Sequence, residues 1–170
     1  MKIPSSLIVL TCAILATLSA FAAPEKLKVH GIFRSHMVIQ RDKPITIWGW
    51  APVGTEVEVS FGESTATSKA GGEEGRWEVT FEHQAANSES QILSVKGGDT
   101  TIKLEDVLIG DVWVMNGQSN MAFALKAVYE AGFESAQAHL PLLRHFKIQA
   151  GAESEYVETD IKEEFIFGND

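Results

Sequence analysis

The sequence predicts a β region followed by the opening of an α/β region: a small antiparallel β-sandwich-like domain, then the first βαβ portion of an incomplete α/β domain. Three observations predict it. Short runs with a period of two fill residues 24 to about 109, the pattern of strands with one buried face. Turn-forming clusters ("APVG", "AGGEEG", "GGD") separate these runs, at the short spacing of a sandwich or barrel. Near Val107 the texture changes to a nearly continuous apolar run and then a stretch rich in helix formers, which fits a strand covered on both faces and the helix after it.

The first 22 residues stand apart from both regions. Lys2 is a short positive start, and "LIVLTCAILATLSAF" is an apolar run too short to span a bilayer securely. Ala20 and Ala22 are small residues at the two positions a signal peptidase reads. A signal peptide over 1–22 is expected, cleaved after Ala22, with export to the periplasm or the exterior; an uncleaved anchor is the alternative. Cleavage leaves 13 of the 14 basic residues against 23 acids, a net charge of −10, and removes Cys12, the one cysteine. Disulfide and thiolate chemistry are then excluded. The acidic balance argues against nucleic acid as a partner, and against an anionic membrane once the signal is gone.

Residues 23–106 form the expected β domain. In "KPITIWGW" Ile45, Ile47 and Gly49 alternate with Thr46, Trp48 and Trp50. "TEVEVSF" puts Val57, Val59 and Phe61 on one side, and "RWEVTF" does the same with Trp77, Val79 and Phe81. "SQILSVKG" and "TTIKLEDV" continue the alternation. His30, His36 and His83 are scattered and read as ordinary surface or core residues, not as metal ligands. Trp48, Trp50 and Trp77 are the aromatics with which a sandwich could stack on glycan, although the parity of Trp77 with Val79 and Phe81 places it in the core.

From residue 107 the expected order is strand, helix, strand. "VLIGDVWVM" supplies the strand and "NMAFALKAVYEAGFESAQAHL" the helix, with Phe123, Ala127, Ala131 and Phe133 near one face and Pro141 as its stop. "LLRHFKI" (142–148) supplies the second strand. One βαβ unit cannot bury both faces of its sheet. The chain is therefore expected to be the N-terminal part of a longer protein, or a truncated gene product. Seven acids against one lysine in residues 151–170 read as a solvated stretch.

Between the apolar strand and the helix lies "NGQSNM" (116–121). A serine at the carboxyl end of such a strand sits beside free backbone N–H groups and a helix dipole, which stabilise negative charge. Ser119 could then attack an acyl carbon while nearby amides hold the oxyanion, with Gly117 allowing a sharp turn and close approach of substrate. The alternative is a plain N-cap, which serine and asparagine favour. The stretch is not the Gly-x-Ser-x-Gly elbow, because Met121 replaces the second glycine.

"GDVWVMNGQSNM" (110–121) resembles the nucleophile block of the sialate O-acetylesterase family, a branch of the SGNH hydrolases, and "HMVIQRDKPITIWGWAPVGTEVEV" (36–59) resembles that family's N-terminal β domain. The resemblance implies that 107–170 begins an SGNH-type, flavodoxin-like esterase domain. It implies that Ser119 is the nucleophile for O-acetyl esters on sugars and contributes an oxyanion N–H, with Gly117, Gln118 and Asn120 shaping the site. The chain departs from the family pattern at Asn116, where serine is common, and at Met115, where cysteine is common. The family's histidine and acidic partner come from later sequence, so the chain alone is expected to be inactive. His139 would lie at the far end of the expected helix, about 27 Å from Ser119 at about 1.5 Å per residue, and nothing marks His145 as a base. The expected partner is an O-acetylated sugar, and no cofactor is implied, since serine acyl transfer needs none. Two alternatives stand beside this reading: a secreted carbohydrate-binding β-sandwich module, and an inactive remnant of a truncated gene.

Overall fold

A computed structural model describes residues 26–117, 124, 127, 129–137 and 140–146. The expected signal peptide and the acidic residues 151–170 lie outside the described residues.

Eight strands and one short helix follow in order: β1 (Lys28–Val29), β2 (Val38–Gln40), β3 (Ile45–Trp50), β4 (Glu56–Phe61), β5 (Ser64–Lys69), β6 (Arg76–Phe81), β7 (Asn87–Gly97), β8 (Thr100–Gly110) and α1 (Ala131–Gln137). They build a three-stranded sheet, β1-β3-β6, and a five-stranded sheet, β2-β8-β7-β4-β5. The described residues are thus a β-rich unit of two sheets. The alternation read in the sequence is the reason: Ile45, Ile47, Trp77 and Val79 from one sheet and Val57, Val59, Phe61, Leu93 and Val95 from the other are buried in one shared core. Burying a side chain of this size stabilises the fold by roughly 1.5–3 kcal/mol.

Gly49 is required where β1 crosses closest. A Cβ there would stand 2.1 Å from the Lys28 carbonyl oxygen and 2.8 Å from the ring of Trp77, so only glycine lets β1 pair with β3 at this point. Trp48 and Trp50, of opposite parity, are half-buried on the outer face. There the His30 ring lies tilted against both, 5.2 Å from Trp48 and 5.7 Å from Trp50, and Phe33 meets Trp48 edge-on at 4.6 Å.

Two strands have no apolar alternation to announce them. β5 is "STATSK", an edge strand paired only with β4, held by backbone ladder bonds rather than by buried side chains. β2 pairs with β8 in parallel, the one departure from an otherwise antiparallel unit.

The expectations beyond residue 106 need correction in three places. β8 runs through to Gly110, and Val107, Leu108 and Ile109 are all buried. The front of the apolar run is therefore covered on both faces, but as the end of a β-sandwich strand. Residues 111–117 form no strand, and Trp113, Val114 and Met115 are exposed. A buried parallel strand needs neighbours at both edges and helices on both faces, and none lies against 112–115 among the described residues. Among the described residues the expected long helix is found as α1 (Ala131–Gln137), and Glu130, with a left-handed φ of 60°, interrupts it because no α-helix accommodates that conformation. Of the apolar face expected on it, Ala127 and Phe133 are exposed and Phe123 lies outside the described residues. Residues 142–146 of the expected second strand are turn and coil, with Leu143 N–H bonded back to the Leu140 carbonyl.

Candidate functional site

The segment that leads to Ser119 begins where β2 and β8 end. Their parallel register sets Val38 opposite Leu108 and Gln40 opposite Gly110, so the residues that follow each strand emerge side by side. Arg41 N–H donates to the Gly110 carbonyl at 2.9 Å. The Arg41 guanidinium Nε donates to Asp111 Oδ1 at 2.8 Å, and Gln40 Oε1 accepts from the Val112 backbone N–H, also at 2.8 Å. Gln40 is itself held, its Nε2 donating to the Arg41 carbonyl at 3.1 Å. Asp111 raises the Arg41 pKa through this hydrogen bond first and through its charge second, with Asp42 adding to it. The two sequence blocks that resemble an esterase family, 36–59 and 110–121, are thus joined at this point, Gln40-Arg41 to Gly110-Asp111-Val112.

From there residues 112–117 run out into solvent. Gly117 lies at the end of this exposed stretch; Gln118, Ser119 and Asn120 lie outside the described residues. Of the histidines weighed as partners, His139 also lies outside them and His145 is exposed.

A second polar cluster stands beside the first on the same edge. Between the pairs Leu93↔Leu104 and Gln91↔Val107, β8 advances three residues while β7 advances two. The extra residue is a β-bulge, and Asp106 within it has a left-handed φ of 55°. Opposite, His36 also takes a left-handed φ, 65°. Conformations of this kind cost on the order of 1–3 kcal/mol each and persist where surrounding bonds enforce them. Those bonds are present: His36 N–H donates to the Glu105 carbonyl at 2.7 Å, and Glu105 N–H donates to Ser35 Oγ at 3.0 Å. His36 Nδ1 lies 2.6 Å from Asp106 Oδ2. Arg144 Nη1 reaches the same carboxylate oxygen at 2.6 Å and the His36 carbonyl at 3.1 Å. Arg144 first, and His36 second, pull the Asp106 carboxyl down to about 2. Asp106 is therefore ionised at neutral pH, and His36 Nδ1 must carry the proton between them.

Sequence reasoning assigned no role to Gln40, Arg41, Asp106, Asp111 or Arg144. Gln40, Arg41 and Asp111 stand in the quoted blocks, which was the available signal. Asp106 and Arg144 carry none, since their meeting depends on a bulge and on a coil.

Among the aromatics considered for sugar stacking, Trp77 is in the core at 1% exposure. Trp48 and Trp50 present only part of their surface beside His30 and Phe33.

Comparison with known proteins gives consistent likenesses. No family model matches the chain. The rat (Rattus norvegicus) sialate O-acetylesterase is 28% identical over 137 residues, 74% of this chain and 25% of that protein. The human enzyme of the same name is 27% identical over 132 residues, 70% of this chain and 25% of its own. Among solved structures, a carbohydrate acetylesterase from Xanthomonas citri superposes with a TM-score of 0.66 at 33% identity, covering 72% of this chain and 28% of that one. The chain spans about a quarter of the length of the curated relatives it matches. By sequence and by fold, this chain resembles a part of the sialate O-acetylesterases and of a carbohydrate acetylesterase.

Proposed function

We propose that this chain supplies the β module and the nucleophile segment of an exported carbohydrate O-acetylesterase. The observation that carries the proposal is the likeness, over about seven-tenths of the chain, to sialate O-acetylesterases and to a carbohydrate acetylesterase structure. The block "GDVWVMNGQSNM" lends it the nucleophile. In this reading the segment after Gly110 belongs to an SGNH-type α/β unit, and the substrate is an O-acetylated sugar of the sialate type. Export runs through the N-terminal residues 1–22.

The chemistry follows from Ser119. Its oxygen bonds to the acetyl carbon as a base takes the hydroxyl proton, and the carbonyl electron pair moves onto oxygen as an oxyanion. Backbone N–H donors, that of Ser119 among them, stabilise that charge. Gly117, Gln118 and Asn120 shape the turn around it. Collapse of the intermediate expels the sugar hydroxyl, which regains a proton, and water then releases acetate from the acetyl-serine by the same steps. The base is a histidine with an acidic partner from elsewhere in the full-length protein.

The test is acetate release from O-acetylated sugars by the full-length protein, beside Ser119→Ala. Loss of release by at least about a thousandfold with an unchanged melting temperature is expected for removal of a nucleophile. Retained release would remove Ser119 from the mechanism, and no release by the wild type on any acetyl ester would remove the esterase reading. A carbohydrate-binding module is the weaker alternative: Trp77 is not available to a sugar, and Trp48 and Trp50 already pack against His30, with Phe33 edge-on to Trp48.

A further inference from the structure

We infer that the β2–β8 edge is an anchoring surface that holds both ends of the stretch carrying Ser119: Gln40 and Arg41 hold its start at Asp111 and Val112, and Asp106 with His36 holds its return at Arg144. The chain leaves the β module at Asp111 and comes back to the same edge thirty-three positions later, at Arg144. Among the described residues no β-strand pairing makes that return, and the Arg144 guanidinium takes part in it.

Three observations support a dedicated contact. Arg144 is drawn in, its side chain only 17% exposed, while its neighbours Leu142, Leu143 and His145 are exposed. Its Nε is buried without a partner, a desolvation cost that ordinary surface packing avoids and that the Nη1 bonds to Asp106 and the His36 carbonyl offset. The receiving side is built in advance: two non-glycine residues, His36 and Asp106, take left-handed backbone conformations facing each other, and their hydrogen bond pre-sets the carboxylate that Arg144 meets. Charge-assisted bonds of this length are among the stronger ones available to a protein surface.

Anchoring both ends of a stretch narrows the positions open to what lies between. The Asp106–His36–Arg144 cluster would therefore be a positioning element for Ser119, acting through the chain and not on substrate. That catalytic consequence rests on the esterase reading; the anchor does not.

Trypsin reads the anchor directly, because cleavage after Arg144 requires its side chain to leave Asp106. In the 170-residue chain, Asp106→Asn is expected to speed cleavage after Arg144 by about tenfold, with cleavage after Arg76 in β6 unchanged. Arg144→Lys keeps a cleavable residue, lies outside every strand, and is expected to be cut faster than the wild type as well. Unchanged cleavage at position 144 in both variants would overturn the anchor. Equal acceleration at positions 76 and 144 would also overturn it, since the β module as a whole would then be loosened. In the full-length protein, Asp106→Asn is expected to lower kcat about tenfold at unchanged KM, and Asp106→Glu to recover part of it. If Ser119→Ala leaves acetyl release intact while trypsin still reports the anchor, the esterase reading falls and the anchor stands.

Discussion

The two regions of this chain hold themselves together by different means. Residues 26–110 form two sheets around one buried core, and their polar contacts are secondary to it. The described residues of 111–146 leave large apolar side chains in water, Trp113, Val114, Met115, Phe133, Leu142 and Leu143 among them, and charge-assisted hydrogen bonds from Asp111 and Arg144 tie them to the β module. The difference shows what an apolar side chain is worth without a partner surface. Trp77 and Trp113 are the same residue type. One removes its whole ring from water against the shared core, and the other removes almost none of it.

That comparison can be broken by mutation, and the largest effect belongs to the core. Trp77→Ala is expected to cost about 3–5 kcal/mol of unfolding free energy, against a total of about 5–15 kcal/mol typical of a domain. Urea denaturation followed by circular dichroism measures it, and a cost below about 1 kcal/mol would mean that the two sheets do not share a core there.

An intermediate effect belongs to the contact between the regions, and it depends on pH. Asp106 is held at about 2 against an ordinary value of 3.8, with Arg144 and then His36 as the facing groups. A lowered carboxyl stabilises the folded state fully above the unfolded value, and that stabilisation is lost as pH falls toward the folded one. The gap in denaturation midpoint between wild type and Asp106→Asn is therefore expected to be constant above about pH 5 and to shrink from about pH 4 to about pH 2. A gap that instead grows on acidification would show that the carboxylate is not the stabilising form.

The smallest effect belongs to the exposed stretch. Trp113→Ser in the 170-residue chain is expected to change stability by less than about 0.5 kcal/mol, as surface substitutions do. A loss comparable to that of Trp77→Ala would mean that Trp113 is covered in solution.

The legible part of the molecule is the part whose structure is carried by side-chain burial. The strands at 45–50, 56–61, 76–81 and 90–97 were readable because every second residue is apolar and faces the core. The polar edge strand β5 and the parallel strand β2 were not, because each packs only one partly buried apolar side chain, Ala66 or Ile39, against the core, and the backbone ladder leaves no side-chain pattern. Past Val107 the apolar run was correctly read as covered on both faces at its start. Its division at Gly110 was not legible, since an apolar residue signals that it can be buried, not which partner will bury it.

The candidate site divides in the same way. Ser119, Gly117, Gln118 and Asn120 were singled out from local chemistry and from resemblance, and Gln40, Arg41 and Asp111 stood in the quoted blocks without a role. By itself the sequence determined the alternation that makes a two-layer β unit, the acidic charge and the block that resembles an esterase nucleophile, because each is written in neighbouring residues. Only the tertiary structure decided that Gln40-Arg41 meets Asp111-Val112, and that Asp106 and His36 turn left-handed to receive Arg144. Those contacts join residues about seventy positions apart or, for Arg144, 38 positions from Asp106 and 108 from His36. What brings them together is the parallel register of β2 on β8 and a single extra residue in β8, neither of which leaves a local trace.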